Sequence, residues 1–177
     1  MFLSLFRTST RLAVFATGLL LGIQVPAFVE QYALRVDAHY NEVTINISGF
    51  QRTADELFSG DLQALINYYR NSNDPVFERD AENIAAIAAR YDRLGLEQAA
   101  MQGSMLAVVW HVVVAGDREI LGETRSEYGY NVPLNSAAIM WGLALALLVM
   151  LSMDACVFCG KKCVSIVHRR PNNHLHG

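Results

Sequence analysis

Residues 12–29 read LAVFATGLLLGIQVPAFV, and residues 132–153 read VPLNSAAIMWGLALALLVMLSM. Neither stretch contains a charged residue, and each is long enough to cross about 30 Å of hydrocarbon as an α-helix. The apolar fraction of the 177 residues is 53%, above the usual value of about 45–50%, and the excess is concentrated in these two stretches. The two stretches predict an all-α membrane protein in which two transmembrane helices flank an extracytoplasmic domain.

The charges are divided between the tails and the middle of the chain. The middle segment carries eight arginines and sixteen acids, a net charge of −8, whereas Asp154 is the one acid outside it. Basic residues next to membrane helices stay on the cytoplasmic side, so both termini are expected to be cytoplasmic. An acidic segment without a basic cluster also argues against a nucleic-acid partner. The basic residues of the tails are Arg7, Arg11, Lys161, Lys162, Arg169 and Arg170.

The predicted organisation has five parts. Residues 1–11 form a cytoplasmic tail, 12–29 the first transmembrane helix, 30–131 a helical periplasmic domain, 132–153 the second transmembrane helix and 154–177 a basic cytoplasmic tail with cysteine and histidine. The alternative for the N-terminus is a signal peptide cleaved near residues 25–27. An uncleaved anchor is favoured, because the apolar pattern continues through Phe28 and Val29 into a helical repeat.

Residues 105–115 form a third apolar run. Eleven residues are short for a span, and a third crossing would place an acidic loop on the cytoplasmic side. We expect the run either to be buried against other helices or to lie at the membrane surface, where Trp110 would suit the interface.

The first span leads into a seven-residue apolar repeat. Because positions i and i+4 share a helix face, the repeat predicts one long helix with a single apolar stripe. Such a heptad indicates either a coiled-coil partner or another helix of the same chain. As an interaction face, the stripe comprises Val36, Tyr40, Val43, Ile47, Phe50 and Leu57.

Beyond the stripe, turn and cap residues predict shorter helices. Gly60 stops the long helix, Asp61 caps a second helix, and Asp74 followed by Pro75 starts a third. Residues 122–133 are predicted to form a loop before the second span. The domain between the spans is therefore expected to be a helical hairpin or a small bundle.

Small residues recur at four-residue intervals in both spans. Such faces let transmembrane helices approach closely, within one chain or between two copies, and an intramembrane amide usually hydrogen-bonds to another helix. The predicted packing residues are Gly18, Gly22 and Gln24 in the first span and Ala138, Gly142 and Ala146 in the second.

The C-terminal tail contains a Cys-x-x-Cys-x-x-x-Cys pattern. Cys156, Cys159 and Cys163, with His168 five residues later, form a candidate zinc site, since three cysteines and a histidine are one of the usual zinc ligand sets. The simpler interpretation is that the three cysteines pack as small apolar residues, because positions 156, 159 and 163 share one helix face. The second Cys-x-x-Cys pair of a zinc ribbon is also missing. Apart from that possible zinc site, no cofactor is expected.

Two segments resemble an uncharacterised family of bacterial inner-membrane proteins with a span at each end. They are residues 22–32, GIQVPAFVEQY, and residues 49–62, GFQRTADELFSGDL, followed by Tyr69 and by DPVF at 74–77. The resemblance extends over about residues 6–94 and excludes the cysteine-containing tail. It implies a two-span topology and a Gram-negative inner membrane, and it implies no activity.

Catalytic signatures such as a P-loop, a dinucleotide-binding fingerprint or a zinc-protease motif are absent from the sequence. We therefore expect a non-enzymatic membrane protein that binds a membrane protein partner or itself through its periplasmic helices. Its form would be an accessory, scaffold or assembly subunit of a larger complex. The alternative is a metal-binding or redox-responsive membrane protein that uses the cysteine tail.

Overall fold

The computed structural model describes the backbone of residues 2–129 and 135–168, and side chains within 5–129, 135–156 and at 158 and 159. These residues form six α-helices, and the described part of the chain contains no strand. The helices are α1 (Phe2–Leu57), α2 (Leu62–Arg70), α3 (Pro75–Ala100), α4 (Met105–Val114), α5 (Arg118–Glu127) and α6 (Ser136–His168). The all-α class expected from the sequence is confirmed.

The chain divides into two compact units. One, here the hairpin unit, consists of Met1–Ala27 and Tyr130–Gly177; the other, the bundle unit, is Phe28–Gly129. The division lies two residues from each predicted boundary of the periplasmic domain. Helix α1 contributes to both units and continues through Pro26.

The hairpin unit contains the parts of α1 and α6 that are long and apolar enough to cross a membrane. Large apolar side chains of these helices point outward, and 28% and 17% of the two apolar windows are buried. A core helix of a soluble protein would bury most of such a window. The outward-facing residues include Leu12, Leu20, Leu21, Met140, Leu147, Leu148 and Leu151.

The bundle unit has the opposite pattern, with its large apolar side chains inside. Its main core joins α1 to α3, α4 and α5, and a second cluster joins α1 to α2 and α3. Each large side chain buried in this way stabilises the fold by about 1.5–3 kcal/mol relative to an exposed one. The main cluster comprises Val29, Tyr32, Val36, Val43, Leu94, Val108, Val112 and Ile120, and the second comprises Ile47, Ile66, Ala81 and Ile84.

The heptad stripe of α1 is the face on which these two clusters assemble. Val36, Val43 and Ile47 are buried, and Tyr40 and Phe50 pack against the clusters. Leu57, at the end of the helix, is 72% exposed. The interaction face predicted from the sequence is therefore corrected: five of its six side chains are covered by the same chain, as the intramolecular alternative required.

Local signals set the ends of the shorter helices as predicted. Ser59 and Gly60 adopt positive φ angles of 54° and 86° after α1, a conformation that glycine adopts at little cost. The side chain of Asp61 accepts a hydrogen bond from Ala64 N at 3.0 Å, and that of Asp74 accepts one from Val76 N at 2.9 Å. Pro75 occupies the first turn of α3.

Helix α5 corrects the predicted loop over residues 122–133. Asp117 caps this helix, accepting hydrogen bonds from Glu119 N and Ile120 N, and Ile120 and Thr124 are buried. Because positions i and i+4 share a helix face, the helical conformation buries Ile120 and Thr124 together, and the helix continues to Glu127. Residues 130–133 of the predicted loop lie outside the described residues.

Candidate functional site

The small residues of the two spans meet inside the hairpin unit. A Cβ atom added to Gly22 would lie 2.7 Å from both Gly142 Cα and Trp141 O, and one added to Gly18 would lie 3.0 Å from Ala146 Cα. Ala138 and Ala146 are fully buried. Backbones in such close contact leave no room for larger side chains, so the glycines are required for the packing. Gln24, the polar member of the predicted set, is half-buried.

An ion pair joins the two helices of the hairpin unit near the predicted cytoplasmic tails. The Arg11 guanidinium lies 2.5 Å from the Asp154 carboxylate, and both side chains are partly exposed. An exposed pair of this kind stabilises by at most about 1 kcal/mol. Asp154 is the one acid of the chain that lies outside the middle segment.

Two of the three tail cysteines are described. Cys156 and Cys159 are free thiols, exposed, and one turn apart on α6. The side chains of Cys163 and His168 lie outside the described residues, although their backbone belongs to α6. On this helix, positions 156 and 163 are about 10.5 Å apart along the axis, whereas two sulfurs on one zinc ion lie within about 4.6 Å. Among the described residues no group of three or more His, Cys, Asp or Glu side chains is arranged to hold a metal.

The centre of the bundle unit contains a buried polar network around Tyr32. The Tyr32 hydroxyl donates to Glu97 Oε1 at 2.5 Å and accepts a hydrogen bond from the backbone N–H of Asp117 at 2.8 Å. His111 Nε2 lies 2.9 Å from the same Glu97 oxygen. Tyr32 is fully buried and Glu97 is nearly so. The network therefore ties α1, α3, α4 and the start of α5 together.

Burial and the Glu97 carboxylate raise the pKa of Tyr32 above its ordinary value of 10, because both disfavour the phenolate. Asp117, whose side chain is largely buried, also faces Arg93 at 3.0 Å. Each of these polar groups is engaged by another group of the same unit. This arrangement is typical of a structural core, where unpaired polar groups would be costly.

A second polar cluster surrounds His39 on the outside of the bundle unit. Arg90 Nη2 lies 3.2 Å from His39 Nδ1, and a guanidinium can only donate, so Nδ1 accepts. Nε2 then carries the proton and donates to Glu123 Oε2 at 2.8 Å. This hydrogen bond, with Arg35 and Arg90 nearby, holds the pKa of Glu123 below its ordinary value of 4.5. Hydrogen bonds and ion pairs of this cluster therefore link α1, α3 and α5.

The turn end of the bundle unit, where α1, α2 and α3 meet, exposes a row of aromatic rings. Ring centroids are 5.6 Å apart between Phe58 and Tyr68, 6.4 Å between Tyr68 and Tyr69, and 5.3 Å between Tyr69 and Phe77. Tyr68 and Val76 are 68% and 66% exposed. We call this surface the aromatic patch, which comprises Leu57, Phe58, Tyr68, Tyr69, Val76 and Phe77.

Sequence reasoning missed the aromatic patch, although a signal was present. Leu62, Leu65, Ile66 and Tyr69 follow the i, i+3, i+4, i+7 pattern of one face of α2, and Tyr68 lies outside that pattern. Tyr69 packs against the second core cluster, so Tyr68 faces outward. An outward aromatic residue on a short helix that ends near further apolar residues indicates a contact surface.

A cleft of about 790 Å³ lies beside this end of the bundle unit. It is open to solvent and has a mixed lining, with Ile47 and Ile66 at its base and Arg52, Asp55 and Asp92 around it. The Gln51 side chain donates to Asp55 Oδ1 at 2.9 Å and to Gly60 O at 3.1 Å within this lining. The mixed charges indicate no particular ligand chemistry.

Comparison with known proteins gives one family. The family model described as "Protein of unknown function (DUF2937)" matches residues 6–164. No curated protein and no solved structure matches the chain.

Proposed function

The chain belongs to the DUF2937 family of proteins of unknown function, and we propose that it is a non-enzymatic, two-span protein of the bacterial inner membrane. In this proposal it is an accessory, scaffold or assembly subunit that presents the bundle unit to a protein partner. The single observation that carries the proposal is the exposed aromatic patch on an otherwise well-packed bundle.

The outward-facing leucines of the hairpin unit support the membrane part of the proposal. In water, a helix pair with small residues between its helices and leucines outside would expose a large apolar surface. In a bilayer the same surface faces lipid, and close packing through glycine holds the helices together. The Arg11–Asp154 pair would then lie at the cytoplasmic surface, where both charges are hydrated.

Charge supports the orientation. Arg7, Arg11, Lys161 and Lys162 flank the spans on one side, and the middle segment has a net charge of −8. By the bias of basic residues toward the cytoplasm, the tails are inside and the bundle unit is in the periplasm.

The location of the aromatic patch supports a protein partner. Leu57 is 28 residues beyond Val29 on α1, about 42 Å along the helix, so a helix close to the membrane normal would hold the patch well beyond the lipid headgroups. Tyrosine and phenylalanine are enriched in protein interfaces, where they bury a large area with little loss of conformational entropy. The partner is therefore expected to be a periplasmic protein or the periplasmic part of a membrane complex. A second copy of the chain is the other candidate.

The experiment is an affinity purification of the tagged chain, expressed at native level, in mild detergent with mass spectrometry of the eluate. The variant Tyr68→Ala/Val76→Ala removes two exposed side chains of the aromatic patch. We expect it to retain its helical circular dichroism and to lose at least about tenfold of a stoichiometric partner, as interface anchors do.

The matched control is Leu34→Ala/Leu96→Ala, which removes two comparably exposed apolar side chains of the bundle unit outside the patch. It should retain the partner. Equal loss of the partner in both double variants would refute the patch as the binding surface. A sample without any partner and with a purely monomeric mass would refute the subunit role.

The metal or redox alternative has one supporting observation. Cys156 and Cys159 are both exposed and one turn apart, a spacing that can place two thiolates on one ion. This proposal needs further ligands that the described side chains do not supply.

A further inference from the structure

Helix α4 presents an uncharged apolar face away from the core. Leu106, Trp110 and Val113 lie on one side at helical spacing and are 71%, 70% and 77% exposed, with Val114 beside them. The opposite side holds the buried Val108 and Val112. None of the ten residues of α4 is Asp, Glu, Lys or Arg. We call the exposed side of this helix the outer face of α4.

The ends of the bundle unit are distinguished by its covalent connections. The chain enters this unit at Phe28 and leaves it at Gly129. The rings of Phe28 and Tyr128 are in contact, with centroids 5.4 Å apart. Both connections to the spans therefore depart from one end, and under the proposed topology this end adjoins the membrane.

Helix α4 packs at that same end. His111 shares the Glu97 oxygen with Tyr32, and a Cβ added to Gly116 would lie 3.2 Å from the Tyr32 hydroxyl. Tyr32 is three residues beyond Val29, the last residue of the predicted span, or about 4.5 Å along α1. The polar interfacial layer on each side of a bilayer is about 5–7 Å thick. With Val29 as the last residue of the span, the α4 residues that contact Tyr32 would lie at the level of that layer.

We propose that the outer face of α4 inserts into the interfacial layer of the periplasmic leaflet, with lipid as its occupant. This inference rests on the membrane-spanning part of the proposed function. Leucine and valine offer a partner no hydrogen bonds, whereas tryptophan favours the boundary between headgroups and acyl chains. The helix resembles an interfacial amphipathic helix whose polar side is replaced by contacts with its own protein.

The anchored helix would set the tilt and rotation of the bundle unit on the membrane. Its inner side is fixed by Val108, Val112 and the His111–Glu97 contact, so the outer face cannot rotate independently of the bundle unit.

The chain contains two tryptophans, Trp110 and Trp141, which provide separate reporters. The full-length variant Trp141→Phe retains Trp110 on α4, and Trp110→Phe retains Trp141 in the second candidate span. Each is reconstituted at low density into phosphatidylcholine vesicles containing lipids brominated either near the headgroup or deep in the acyl chain. Fluorescence quenching by these lipids and by aqueous iodide is then measured.

We expect Trp110 to have a blue-shifted emission, to lose most of its fluorescence to the shallow brominated lipid and to be protected from iodide. Adding Val113→Lys should shift Trp110 back toward aqueous behaviour, since this exposed residue can be replaced without disturbing the core. The matched control is Leu57→Trp in a background without the two natural tryptophans. Leu57 is as exposed as Trp110 and should be quenched by iodide only.

Two results would overturn the proposal while leaving the spans intact. In the first, Trp141 is quenched by the deep lipid, whereas Trp110 is quenched by iodide and by neither lipid. In the second, Trp110 is protected from iodide but is not quenched by lipid, which would show that protein, such as a second copy, covers the face. If Trp141 is also unquenched by lipid, the membrane-spanning proposal itself fails.

Discussion

In the hairpin unit, glycine and alanine lie between the helices and leucine faces outward; in the bundle unit, valine, isoleucine and leucine lie between the helices and charged residues face outward. The same helix, α1, follows the first rule before Ala27 and the second after Phe28. In water, large apolar side chains are driven together, whereas in lipid they gain nothing by meeting and close backbone contact decides the packing. The change of rule along one helix is the pattern that the proposed passage from lipid to water would produce.

The strongest way to break this contrast is Gly22→Leu in the hairpin unit. The added side chain would meet backbone atoms at 2.7 Å, so we expect a loss of about 3 kcal/mol or separation of the two helices. Gly49→Leu on the same helix is the control, because a Cβ there meets nothing within 4 Å and leucine is the better helix former. Thermal unfolding in mild detergent, followed by Trp141 fluorescence, should separate the two variants. Equal melting temperatures would contradict the close packing of the spans.

The bundle unit differs from the hairpin unit by its buried polar network, which Tyr32→Phe tests. The substitution leaves the Asp117 N–H without its acceptor and Glu97 with His111 as its one remaining partner, at an expected cost of about 2 kcal/mol in the free energy of unfolding. Tyr40→Phe is the control, since its half-buried hydroxyl bonds only to another hydroxyl, that of Tyr91, at 3.1 Å among the described contacts. Denaturant unfolding of the reconstituted protein measures both. A Tyr32→Phe variant as stable as Tyr40→Phe would show that the network adds nothing.

The stability difference between wild type and the Tyr32→Phe variant should depend on pH. The pKa of Tyr32 is raised in the folded state, so the stability it contributes is fully present below about pH 10 and is lost as the pH rises further, because the unfolded tyrosine ionises first. The difference in unfolding free energy between wild type and Tyr32→Phe should therefore narrow above pH 10. A difference that stays constant to the alkaline limit would contradict the buried environment of this hydroxyl.

A smaller effect is expected at the surface of the bundle unit. His39→Ala removes the hydrogen bond that lowers the pKa of Glu123, which should rise toward 4.5 when measured by carboxyl carbon chemical shifts. Because the pKa of Glu123 is lowered in the folded state, the stability that its carboxylate contributes is present above about pH 4.5 and is lost as the pH falls through the folded-state pKa. Glu42→Gln is the control, since Glu42 is exposed and 3.7 Å from the other ring nitrogen. A Glu123 pKa that moves equally in both variants would argue against the assigned hydrogen bond.

The smallest effect is expected at the cysteines of the hairpin unit. Changing Cys156, Cys159 and Cys163 together to serine should leave the metal content per chain and the partner yield unchanged, because positions 156 and 163 are two turns apart on α6. Metal analysis of the purified wild type and variant is the measurement. A bound zinc that disappears in the variant would instead establish the alternative function.

The predictions that succeeded from sequence depend on neighbouring residues. Gly60 ends α1, and Asp61 and Asp74 cap α2 and α3, because caps and turns are decided within three or four positions. The loop predicted over 122–133 was wrong up to Glu127, since the burial of Ile120 and Thr124 against distant helices outweighed the weak helix propensity of Gly122.

Periodicity and charge along the chain were enough to establish the helical class, the two apolar helices and the existence of a heptad stripe, because each is a property of residues close in sequence. Tertiary structure decided what covers each surface. It directed the stripe into the chain's own core, brought Gly22 onto Gly142, joined Tyr32 to Glu97 across 65 positions, and left Tyr68 and Trp110 exposed. A helix pattern specifies which side chains share a face, but the partner of that face depends on contacts between segments far apart in the chain.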